Sequence, residues 1–122
     1  MRISFELLPG GVLRVEVRER ETAEETRQLA ESIFAEQART GALGVLMVAL
    51  ESRPIFKVEQ YGLSGILERV AAIPGLRVAV VADDPGLRAA HEYIEVLARQ
   101  RDVAYRACPT EAIALAWLRE PR

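Results

Sequence analysis

Near its start the chain alternates apolar and polar residues twice, with Pro9-Gly10-Gly11 between the two runs. Ile3, Phe5 and Leu7 alternate with Arg2, Ser4 and Glu6, and Leu13, Val15 and Val17 alternate with Arg14, Glu16 and Arg18. A period of two is that of a strand with one face on a core and one in water. The proline and the two permissive glycines between the runs predict a hairpin. Three further strand-like runs, at 45–50, 78–82 and 103–107, are each followed by a helical pattern. Parallel strands need such crossovers, and these are right-handed in nearly all proteins. The predicted fold is therefore a single α/β domain with a mixed five-stranded sheet. The N-terminal hairpin comes first, three parallel strands follow, and four main helices complete the order ββαβαβαβα.

The local signals agree with that order. Thr22 and Glu25 have the spacing of a capping box. The helix they open carries Thr26, Leu29, Ile33 and Ala38 on one stripe, and Gly41 and Gly44 close it. Val45-Leu46-Met47-Val48-Ala49-Leu50 is continuously apolar, as a parallel strand covered on both faces should be. A second helix is expected over about 58–73, weakened by Gly62 and Gly65 and stopped by Pro74-Gly75. Asp83 or Asp84 caps a third helix with Pro85 in its first turn. Its stripe is Leu87, Ala90, Ile94, Leu97 and Ala98. The run 103–107 includes Arg106 and reads as an edge strand. Thr110 and Glu111 open a last helix that buries Ile113, Ala116 and Trp117.

Composition narrows the function classes. The chain has 122 residues, a single-domain length, and 50% are apolar, enough for a core. Its net charge is −2, and its cationic side chains, all arginine except Lys57, are scattered. That supplies no basic face for nucleic acid. One cysteine allows no internal disulfide. The alternating N-terminus is unlike a signal peptide, and the longest apolar run is far too short to span a bilayer. A cytoplasmic protein without a membrane span is expected.

The run Val78-Ala79-Val80-Val81-Ala82-Asp83-Asp84-Pro85, the following helix with Ala89-Ala90-His91-Glu92-Tyr93, and the ending Thr110-Glu111-Ala112 through Ala116-Trp117-Leu118 resemble a known family. Taken with the element order, they are similar to the STAS superfamily of sulfate-transporter and anti-sigma-factor-antagonist domains. The nearer likeness is to its SpoIIAA-like branch of small bacterial proteins. The resemblance implies a sheet wound as a βα superhelix, with binding or regulatory roles more often than catalysis. It also implies a phosphoacceptor serine near the start of the helix after the third strand. Here Gly62-Leu63-Ser64-Gly65 supplies the Ser-Gly pair at Ser64 and Gly65, but no aspartate precedes it, and 53–59 lengthens the approach. A phosphate at a helix N-terminus would meet free N–H groups and a favourable dipole. The expected helix nevertheless places Ser64 already inside, where a small packing role is the plainer reading.

Other candidate chemistry is sparse. His91, the only histidine, has Glu95 one turn on but no nucleophile in pattern with it. Cys108 precedes the last helix, whose N-terminus can lower a thiol pKa; a buried filler is the simpler reading. One histidine and one cysteine far apart give no metal-ligand spacing. Glu51, Asp83 and Asp84 follow the two buried strands, and with Ser52 and Arg53 they can line a strand-end pocket. A receiver domain would need an acidic pair after its first strand, where Leu8-Pro9-Gly10 stands instead. No glycine-rich phosphate cradle occurs, and no cofactor is expected.

The segment Pro54-Ile55-Phe56-Lys57-Val58 puts three apolar residues into neither strand nor helix. It either caps the core or forms an apolar lip. The leading expectation is a non-enzymatic STAS-like module that contacts a regulatory partner or self-associates as a homodimer. Its surface would include Glu51, Ser52, Arg53, Ile55, Phe56, Tyr61, Ser64 and Gly65. The alternative is a carrier for a small apolar or lipid-like ligand, held between the helix 58–73 and the sheet by Met47, Phe56, Tyr61 and Leu63. A third reading, catalytic, would use Cys108 or the acidic strand ends.

Overall fold

The computed structural model describes residues 1–121 as an α/β domain with the expected element order. Strands β1 (Arg2–Leu8) and β2 (Val12–Arg18) pair antiparallel across a turn in which Gly10 and Gly11 both take positive φ. Strands β3 (Gly44–Leu50), β4 (Arg77–Ala82) and β5 (Tyr105–Ala107) extend the sheet in parallel. Strand order across the sheet equals order along the chain, and Met47 lies opposite Val80 on neighbouring strands.

Alternation along the strands divides the core in two. Leu13, Val15, Val17, Val45 and Ala49 face one side, together with residues of α1 (Ala23–Thr40), α2 (Leu63–Ala71) and α3 (Pro85–Arg99). Val12, Leu46, Val48 and Ala79 face the other side, where Ala114 and Leu118 of α4 (Glu111–Leu118) pack. Beside α4 on that side, β2 carries a charged row. Arg14 bonds Glu111 at 2.8 Å and Glu16 at 3.3 Å, and Arg18 bonds Glu16 at 3.2 Å. Partly exposed pairs of this kind contribute about 0–1 kcal/mol each.

The helix starts follow their caps. Thr22 and Glu25 form the capping box, Asp84 accepts from Leu87 N–H at 2.9 Å, and Thr110 accepts from Ile113 N–H at 3.2 Å. Gly41 closes α1 in the left-handed conformation.

Five expectations change in detail. In β1, Leu7 is 56% exposed although its alternation with Glu6 put it on the core face, and Leu8 packs on the α4 side instead. The helix expected over 58–73 is two elements, a 3-10 helix (Val58–Tyr61) and α2, separated by Gly62 at φ 75°. A helix interior cannot hold that backbone, and glycine adopts it without a Cβ clash. In α1 the buried position is Gln37 and not Ala38, because the Gln37 amide donates to the Ala42 carbonyl at 2.9 Å. In α4, Ala114 and Leu118 are buried while Ile113 and Ala116 are exposed, and Trp117 is half-buried. Every residue from 112 to 118 is apolar, so periodicity carried no phase for that helix. The edge strand is limited to Tyr105–Ala107; Val103 is buried just before it.

Candidate functional site

Between the sheet and α1, α2 and α3 lies a cavity of about 140 Å³. Its floor is Val45 and Met47 of β3 with Val78 and Val80 of β4. Its walls include Leu29 and Phe34 of α1, Leu63 and Leu67 of α2, and Leu87 and Ile94 of α3. Met47 stands mid-strand in the central strand of the sheet, yet it is only half-buried. It belongs to the lining of this cavity. The three helices keep apolar residues on the sheet without closing the space between them.

Six polar side chains join the apolar lining: Arg20, Thr26, Gln37, Tyr61, His91 and Tyr105; Thr26 and Gln37 are hydrogen-bonded to Arg20 and to the Ala42 carbonyl, respectively. Arg20, Tyr61 and His91 are only 7%, 5% and 6% exposed. Arg20 follows β2, whose even-numbered residues face the α4 side. Glu19 takes a left-handed φ of 59° and breaks that alternation, so Arg20 turns toward the cavity. Its guanidinium donates to Thr26 Oγ1 at 2.6 Å and to the Arg53 carbonyl. Among the described residues no carboxylate lies within ion-pair distance of it. Glu25 instead holds the N-terminal ammonium at 3.3 Å, and Glu21 holds Arg53 at 3.6 Å.

Burial pushes the Arg20 guanidinium below its ordinary pKa. Burial, reinforced by the Arg20 charge, lowers His91 to about 4, so the imidazole is neutral at pH 7. Burial also pushes the Tyr61 hydroxyl up to about 12 and the Tyr105 hydroxyl well above its usual value. Among the described residues, neither hydroxyl and neither ring nitrogen of His91 makes a hydrogen bond. Among the described residues no fully sealed side-chain nitrogen or oxygen lacks a partner, so these polar ends keep some access to open space, and their residues belong to the cavity lining.

The residues expected to form a surface divide between three tasks. Ile55, Tyr61, Leu63 and Met47 do line the cavity, but Phe56 does not. Ile55 and Phe56 are neighbours in an irregular segment. Ile55 turns inward, whereas Phe56 is 53% exposed and borders a shallow groove with Thr22, Pro54 and Gln60. Glu51, Ser52 and Arg53 fasten this loop. Glu51 N–H donates to Asp83 at 3.1 Å, Ser52 Oγ accepts from Arg20 N–H at 3.2 Å, and Arg53 N–H donates to the Arg20 carbonyl at 2.9 Å. Asp83 and Asp84 therefore each accept from a backbone N–H, one on the loop and one on α3.

Ser64 stands in the first turn of α2, closer to the helix start than its sequence suggested. Its hydroxyl donates to Glu59 at 2.6 Å, and the same carboxylate accepts the Ser64 N–H at 3.0 Å. Arg101 donates to Ser64 Oγ at 3.1 Å. Glu59 thus occupies the anion position at this helix start, while Gly65 is exposed beside it. Cys108 is buried, and burial raises its thiol pKa. Among the described residues no cluster of three metal-binding side chains occurs, and no helix is long and apolar enough to cross a membrane.

Arg20 is the site residue that its sequence context concealed. The only available signal was an arginine two residues past a strand, indistinguishable by pattern from Arg14 and Arg18. Compared with models of known protein families and with curated proteins, the chain finds no match.

Proposed function

We propose that this protein is a non-catalytic binding module whose central cavity takes a small, largely apolar molecule. The observation that carries this reading is the cavity against Met47 and Val80, walled by three helices. An apolar space of about 150 Å³ is large enough to bind benzene, so a ligand core of that size is expected. The sheet, wound in chain order with three crossover helices on one face, supports the STAS-like resemblance and its association with binding roles. The chain's two methionines provide a direct readout: Met47 lines the cavity and Met1 does not. With methyl-labelled methionine, toluene or 1-hexanol should shift the Met47 methyl resonance saturably and leave Met1 in place. A Met47 resonance that stays fixed up to the solubility limit of both probes would refute ligand entry.

A second reading keeps the loop 51–57 as a contact surface, because Phe56 presents a large apolar side chain to solvent. The occupant would be a second copy of the chain. Phe56→Asp should then convert a dimer to a monomer by mass in solution. A wild-type protein that is monomeric at every concentration tested removes this reading without touching the cavity.

A further inference from the structure

The apolar walls explain why a greasy molecule would enter; they do not explain the polar residues among them. A buried arginine normally has a carboxylate partner, because an isolated buried charge is strongly unfavourable, and the Arg20 residue is only 7% exposed. Arg20 has none among the described residues. Two neutral acceptors, Thr26 Oγ1 and the Arg53 carbonyl, engage its two terminal nitrogens. A guanidinium has five N–H donors, so donors remain for a further acceptor. Around it, Tyr61, Tyr105 and His91 border the same cavity, lie within electrostatic reach of Arg20, and hold unspent hydrogen-bonding capacity. One lining therefore holds a buried cation with no carboxylate partner and three polar side chains with no hydrogen-bond partner among the described residues.

We propose that the cavity's ligand is a small monocarboxylic acid, its carboxylate paired with Arg20 and its apolar body lying over Met47 and Val80. This rests on the binding reading above and adds the head group to it. The charge count selects the class. Among the described residues Arg20 is the one cation in the lining, and it balances a single negative charge. Neutral His91 and the two tyrosines supply hydrogen bonds without further charge. A phosphate monoester carries close to two charges at pH 7, and among the described residues no second cation lines the cavity for it. The planar fork of arginine also matches the two oxygens of a carboxylate. The volume suits a tail of about five or six carbons or one benzene ring.

The same Met47 resonance measures the head-group preference. Hexanoate at pH 7 should bind at least tenfold more tightly than 1-hexanol, and benzoate at least tenfold more tightly than toluene. Arg20→Gln should abolish that advantage while leaving 1-hexanol affinity within about twofold. Should that variant fail to fold, Tyr61→Phe and Tyr105→Phe remove a hydroxyl while keeping the ring. At least one of them should weaken hexanoate severalfold and spare 1-hexanol. Equal binding of hexanoate and 1-hexanol would overturn the carboxylate assignment and leave the apolar cavity standing. Tighter binding of hexyl phosphate than of hexanoate would also overturn it. Failure of every probe would instead remove the binding reading on which it rests.

Discussion

Acidification from pH 7 to pH 4 is expected to cost this protein about 3 kcal/mol through His91 alone. In the folded state burial lowers His91 to about 4, against 6.5 for an exposed histidine. Between those values the unfolded chain binds a proton that the folded chain does not. Stability therefore rises with pH across this window. The full contribution is present above pH 6.5 and is lost as pH falls toward 4. The gap between 6.5 and about 4, at about 1.36 kcal/mol per pH unit, sets the size. The groups around the imidazole do not reverse the sign, since Arg20 adds to the lowering and both tyrosines stay neutral throughout. Carboxylates also titrate in this range, so the decisive quantity is a difference. Urea unfolding at pH 7 and at pH 4.5 should show a larger loss for the wild type than for His91→Gln. Equal losses in the two proteins would mean that His91 is not buried neutral beside Arg20.

The second large effect is mechanical. Leu46→Ala should destabilise the fold by about 3–4 kcal/mol, the range for a fully buried leucine whose surroundings cannot collapse. Leu46 is 0% exposed on the central strand and packs toward Cys108, Ala114 and Leu118 on the α4 face. At the next position, Met47→Ala should cost less than half as much. The Met47 side chain already borders open space, so truncation removes fewer contacts and enlarges an existing cavity. Thermal or urea unfolding of the two variants compares the faces of one strand. Comparable losses at 46 and 47 would contradict an open space beneath Met47.

The fold was legible because its signals are local and repeated. The alternation through Ile3–Leu7 and Leu13–Val17, the unbroken run at 45–50, and the Thr22, Asp84 and Thr110 caps each report on residues within one turn or one strand. Where the local signal is degenerate, the pattern leaves the packing undetermined. The apolar stretch 112–118 has no polar residue to phase it, and the helix expected at 58–73 gave no way to see that Gly62 would turn left-handed. The candidate surface at 51–65 was found as a region, but its residues divide among cavity lining, loop fastening and solvent. Alternation between Ile55 and Phe56 decides which is which only once the loop is laid across the strand ends.

The sequence by itself determined the element order, the strand pairing directions and the core face of β2, because periodicity and caps act over a few residues. Tertiary structure alone decided that Arg20 enters the core, through the left-handed turn at Glu19, and that Tyr61, His91 and Tyr105 gather around it from three separate elements. No short-range pattern encodes that meeting. It arises where three helices pack on one sheet face and leave a space between them, and the charge in that space has meaning only relative to what surrounds it.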